Sequence, residues 1–101
     1  MGDINGKAFF GAVLRAVACT RNHNDDSAEY EAGVIVPAGR IREIETEIGD
    51  RDPTTSEVEQ VLALLDTVLT TKRTTAEDRA FHTGHISRVS GLSVVRAGAA
   101  V

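Results

Sequence analysis

Apolar residues recur along positions 55–73 with the period of an α-helix. Val58, Val61, Leu62, Leu65, Val68 and Leu69 fall at i, i+3, i+4, i+7, i+10 and i+11, which puts six branched aliphatic side chains on one helical face. Leu64 widens that face, while Glu57, Glu59, Gln60, Asp66, Thr67 and Thr70 take the other side. The pattern predicts a central amphipathic helix over 55–71, lying on a core with its back in water.

The flanking stretches read mostly as shorter helices. Asp3 or Asn5 can cap a first one, in which Phe10, Val13, Leu14 and Val17 form one stripe and Phe9, Ala12, Ala16 and Cys19 a flatter second stripe. Its small residues Gly11, Ala12, Ala16 and Ala18 would let a neighbouring helix approach closely. Asn, Asp and Ser in residues 20–27 compete for backbone hydrogen bonds and predict a turn. Residues 33–37, Gly-Val-Ile-Val-Pro, are β-branched and closed by proline, which predicts an edge strand or an extended connector. Segment 92–95 is the available pairing partner, so 33–36 and 92–95 are the candidates for a two-stranded ribbon. Ile41, Ile44 and Ile48 predict a short helix over 39–49 with Gly49 as its C-cap. Pro53 marks a break, after which Thr54, Thr55 or Ser56 caps the central helix; Ser56 with Glu59 has capping-box spacing. Thr75 can cap a last helix from Ala76 to Ser90, in which Gly84 costs about 1 kcal/mol relative to alanine and is a candidate break. The expected fold is mainly α: a single domain over 1–101, a compact bundle of about four short helices around 55–71, with the ribbon as an accessory. An α+β arrangement is the alternative.

Composition changes this picture little. At 101 residues and 42% hydrophobic content the chain can build a modest core without disulfides or metal. Three Phe and one Tyr are too few for a base-stacking platform. The lone Cys19 excludes an internal disulfide and fits a reducing compartment. The first 18 residues make a poor signal peptide and are too short to span a bilayer. A soluble cytoplasmic protein with no membrane partner is expected.

Charge is unevenly spread. Residues 1–24 carry +2, residues 25–52 carry −6, and residues 53–101 are neutral overall, although from Lys72 onward the balance is +3. An acidic middle and a basic end argue for an oriented surface.

Two constellations could carry chemistry. Cys19 with His23, and His82 with His85, are spaced so that each pair could converge on one ion. One Cys and three His suffice for a tetrahedral zinc site. Otherwise Cys19 is a buried small hydrophobe and the histidines are surface residues, with no cofactor required. The second constellation is Ile86-Ser87-Arg88-Val89-Ser90-Gly91-Leu92-Ser93. This segment resembles the helix–turn portion of a bacterial helix-turn-helix, with Gly91 at the left-handed turn position and Ser93 capping a recognition helix. The resemblance covers about eight residues of 101, places a helix-turn-helix-like segment at 83–101 and implies DNA binding by Arg88, Ser93 and Arg96, to which the basic balance from Lys72 onward adds Lys72 and Arg73. The stretch that follows, 94–101, offers only Arg96 for reading bases and contains a glycine, which departs from the family pattern.

Catalysis has little to stand on. There is no Gly-rich phosphate loop, nucleophile elbow or metal-binding helix motif. Cys19 lies at a helix C-terminus, the end that disfavours a thiolate. The expected function is therefore non-enzymatic: a small interaction protein that binds a larger protein or nucleoprotein and regulates or inhibits it. The candidate contact surface is Glu43, Glu45, Glu47, Asp50 and Asp52, a row able to engage a basic groove that otherwise holds nucleic acid. A DNA-binding regulator is the alternative and a small zinc-binding protein the second. The wide apolar arc of the first helix and the apolar tail also suit a homodimer.

Overall fold

In a computed structural model, residues 5–19 and 28–91 are described, the side chain of Cys19 excepted. Those residues form four helices and no strand: α1 (Gly6–Cys19), α2 (28–48), α3 (Thr55–Thr71) and α4 (Ala76–Ser90). The α2 rod has three parts, Ala28–Tyr30, a π-helical section Glu31–Ile35, and Val36–Ile48. The chain is mainly α. None of these helices is long and apolar enough to cross a membrane.

The central helix runs where its periodicity places it. Its N-cap, however, is Thr54 rather than Ser56: Thr54 Oγ1 accepts from the Glu57 N–H at 3.2 Å and Glu57 Oε1 accepts from the Thr54 N–H at 2.8 Å. Both Thr-x-x-Glu and Ser-x-x-Glu are present in the sequence. Thr54 caps because it directly follows Pro53, where the chain is still extended. Val58, Val61, Leu65, Val68 and Leu69 are buried, with Leu62 and Leu64 half-buried on the flanks. The core they join takes Phe9, Phe10, Ala12, Val13 and Ala16 from α1, Ile41, Ile44 and Ile48 from α2, and Ile86 from α4. Pairs α1–α4 and α2–α3 pack most extensively, and α1 bridges the two. The apolar arc of α1 is thus taken up inside the bundle.

The candidate ribbon is absent from the described part. Residues 33–36 are helical, and 92–95 lie outside the described residues. Proline within a helix lacks an N–H and presses its ring on the carbonyl four residues back. Immediately before Pro37 the helix widens instead, and the Val36 N–H donates to Glu31 O, five residues behind. Of the Val-Ile-Val run only Val34 is buried, while Ile35 and Val36 stay exposed. Val34 and Pro37 are buried, and so is Gly33, which sits directly against Thr71 of α3. A Cβ built on Gly33 would lie 2.6 Å from Thr71 Cγ2 and 2.8 Å from its Cβ. Glycine is what allows the π section to touch α3.

Helix ends carry the rest. Asn5 caps α1 (Ala8 N–H to Asn5 Oδ1, 3.1 Å) and Thr75 caps α4 (Asp78 N–H to Thr75 Oγ1, 3.1 Å). The α4 helix continues unbroken through Gly84 and ends at a left-handed Gly91. At the end of α3, Thr74 N–H reaches Leu69 O and Arg73 N–H reaches Thr70 O, each at 3.0 Å. This is the Schellman pattern with arginine in the left-handed position, φ 59°.

Two stability changes are expected. Gly33→Ala should lower the urea midpoint by the equivalent of about 1–3 kcal/mol. The loss should shrink in a Thr71→Ala background, because most of the overlapping atoms are gone; an equal loss in both backgrounds would show that the contact is not the cause. Arg73→Gly relieves the left-handed strain and should raise stability by up to about 1 kcal/mol, measured the same way.

Candidate functional site

One end of the bundle collects the last turn of α2, the start of α3, the start of α1 and the end of α4. Ile48 ends α2, and the left-handed Gly49 follows (φ 64°), its N–H donating to Glu45 O at 3.1 Å. Arg51 then reaches forward across the turn. Its two terminal nitrogens donate to the Glu57 carboxylate at 2.8 and 2.6 Å, and one also donates to Asp52 O at 3.2 Å. Pro53 is buried against α1: a Cβ on Gly6 would lie 3.2 Å from Pro53 Cδ. Asn5 in turn donates its N–H to Ser90 O at 3.0 Å, which ties the start of α1 to the end of α4.

Between these pieces lies a cleft of about 210 Å³, floored by Phe10 and Ile48 and rimmed by Lys7, Glu45, Asp50, Arg51 and Asp52. Arg51 is committed to Glu57. Glu45, Asp50 and Asp52 make no ion pair or side-chain hydrogen bond among the described residues, and Lys7 is the opposing cation on the rim. The start of α1, with its partial positive charge, offsets part of the negative field.

The five predicted acidic residues therefore do not form one face. Glu43 and Glu47 share a stripe with Arg40, whose guanidinium donates to them at 3.1 and 3.4 Å. At 100° per residue, Glu45 projects on the far side of the buried Ile41–Ile44–Ile48 stripe from that pair. It joins Asp50 and Asp52 at the cleft. Sequence reasoning missed Lys7, Arg51 and Glu57 as partners of this site. Arg51 and Glu57 face each other only once Pro53 has turned the chain, and no helical spacing announces such a pair.

The other candidate residues are scattered. Lys72 is half-buried and its Nζ donates to Val17 O at 2.7 Å, so it caps the end of α1. Arg73 and Arg88 are exposed, Arg88 on α4, while Ser93 and Arg96 lie outside the described residues. Gly91 does take the left-handed conformation (φ 75°, ψ 19°) that a helix C-cap and a helix-turn-helix turn share. His82 and His85 both lie against the exposed Phe81, edge-on at 5.5 Å and stacked at 6.3 Å between ring centres. Cys19's side chain and His23 lie outside the described residues, among which no group of three or more His, Cys, Asp or Glu is placed to hold a metal ion.

Comparison with known proteins adds no assignment: no protein-family model matches the chain, and neither curated proteins nor solved structures yield a match.

The Arg51 fork, with the Thr54 N–H, holds the Glu57 carboxyl at a pKa of about 2. A carboxylate depressed on folding contributes stability above its unfolded pKa and loses it as pH falls toward the folded value. The contribution should therefore be complete above about pH 4.5 and fade toward pH 2. Glu57→Gln should flatten the dependence of thermal midpoint on pH across this window. An unchanged acid limb would exclude the Arg51–Glu57 pair as its source.

Proposed function

We propose that the protein is a small non-enzymatic interaction protein of the cytoplasm. It binds a larger protein or nucleoprotein through the acidic cleft and regulates or inhibits it by occupying a basic surface, as nucleic acid would. The observation that carries this reading is the commitment of Arg51 to Glu57, which leaves Glu45, Asp50 and Asp52 without a partner among the described residues, around an apolar floor. A Lys or Arg side chain of the partner fits such a place: its stem lies on Phe10 and Ile48 while its charge meets the carboxylates. The cleft is smaller than the 300–1,000 Å³ typical of small-molecule sites, at about 210 Å³. That size favours a side chain over a metabolite. Glu43 and Glu47, already paired with Arg40, belong to a supporting surface. The reading narrows the contact to three of the five acids.

Titration with an oligo-arginine peptide, followed by amide chemical shifts, tests it. Shifts should concentrate at Lys7 and residues 49–52 and weaken with salt, since the screening length is about 8 Å at physiological ionic strength. Asp50→Asn with Asp52→Asn should weaken binding about tenfold, and Glu43→Gln with Glu47→Gln should leave it nearly unchanged. Equal weakening by both pairs would reduce the effect to diffuse charge and overturn the assignment.

A further inference from the structure

The α4 helix carries apolar and aromatic side chains away from the core as well as toward it. Ile86 and Ser90 are buried, whereas Phe81 is 62% exposed and Val89 39% exposed. On the outward side, Glu77, Phe81, Gly84 and Arg88 follow at intervals of four, three and four residues. That is the spacing of a helix–helix seam, and it reads the same in both directions. In one antiparallel register with a second α4, Glu77 of each copy falls opposite Arg88 of the other, and Phe81 opposite Gly84. Large meets small, and acid meets base.

Two observations support a second copy as the occupant. Glu77 and Arg88 are exposed and in no ion pair among the described residues, so both are available for the complementary pairing. Among the described residues Gly84 meets no other helix: a Cβ there would touch only the flexible guanidinium of Arg88, at 3.4 Å, which has to turn aside before a ring can lie there, so alanine would fit and strengthen the helix. An aromatic ring laid over that position explains the glycine. Beside the seam, Ala8, Gly11, Ala12 and Arg15 of α1 line an open groove with His85 and Val89, and His85 stacks on Phe81.

We propose that the protein self-associates as a two-fold dimer through the outer face of α4, with Phe81 of each copy seated over Gly84 of the other and Glu77–Arg88 pairs at both ends. Such an interface is isologous and closes on itself. A single-helix seam lies at the small end of specific interfaces, below about 1,200 Å², so association is reversible. The proposal is independent of the acidic cleft.

Sedimentation equilibrium of the full chain, with circular dichroism of each variant, tests it. The wild type should show a monomer–dimer equilibrium. Phe81→Ser should weaken it about tenfold or more. Glu77→Arg and Arg88→Glu should each do likewise, because one reversal breaks both symmetry-related pairs, and the double variant should restore association. Gly84→Ala should raise the thermal midpoint while weakening the dimer, a divergence that a merely structural glycine would not produce. A wild type that stays monomeric at submillimolar concentration would overturn the proposal. So would a double charge variant no better than the single ones. A monomer in which deletion of residues 92–101 alone alters the Phe81 environment would also overturn it, in favour of cover by the chain's own end.

Discussion

Arg51 stands between two helices that must turn against each other within six residues, and its guanidinium decides how they do so. The planar fork meets the Glu57 carboxylate at two points, and the same carboxylate receives the Thr54 N–H. A bidentate pair fixes orientation as well as distance, and here one end of it is also the capping box of α3. The start of the central helix and the shape of the turn are therefore one structure. Pro53, held in that turn, packs against Gly6, so the same network also sets where α1 begins. Its exposed position makes it modest in energy, and its importance lies in geometry: it fixes which carboxylates remain free.

Helices with clear periodicity were legible from the amino-acid pattern. The six aliphatic positions of α3 and the Thr75 cap of α4 lie where spacing and capping chemistry place them. Residues 33–37 were not legible, because every local signal there favours an extended chain. Gly, β-branched residues and Pro each lower helix propensity, a cost that burial of Val34 and Pro37 offsets in part. The π section is the compromise: it keeps the rod continuous while removing the clash that Pro37 would make in a regular α-helix. No local window around Gly33 contains Thr71, the residue against which Gly33 fits. That contact is tertiary, and local reasoning had no access to it.

The acidic surface shows the same limit at the level of charge. Nine acids in the middle of the chain look like one patch when read linearly. Helical geometry already separates Glu45 from Glu43 and Glu47, and that much could have been read from the 100° advance per residue. What could not be read is which bases neutralise which acids. Arg40 reaches forward along its own helix, Arg51 reaches forward across a proline, and Lys72 caps α1 from a distance of 55 positions in the chain. Net charge by segment gave Lys72 to a basic tail, whereas its Nζ belongs to a helix end. The free charges of a small protein are those left after such pairings, and the pairings are made by the fold.

The α4 helix presents the opposite case, in which a sequence pattern exceeds what the fold uses. Buried area on α4 comes chiefly from Ile86 and Ser90, and the helix is held at its ends by Thr75, by Gly91 and by the Asn5–Ser90 bond. A helix with two fully buried residues gains from every strong helix former, yet this one keeps a glycine at its middle and a phenylalanine in water. Solitary exposed aromatics are ordinary. An exposed aromatic three residues from an otherwise unexplained glycine, with opposite charges one turn beyond each, is a more demanding coincidence. Intrachain packing also leaves Ile35 and Val36 of α2 exposed, and Gly11 and Gly39 open on their helices; on α4 an exposed aromatic, a glycine and two opposite charges fall on one stripe. The residue types left over are those that a close antiparallel pairing of the helix with itself requires.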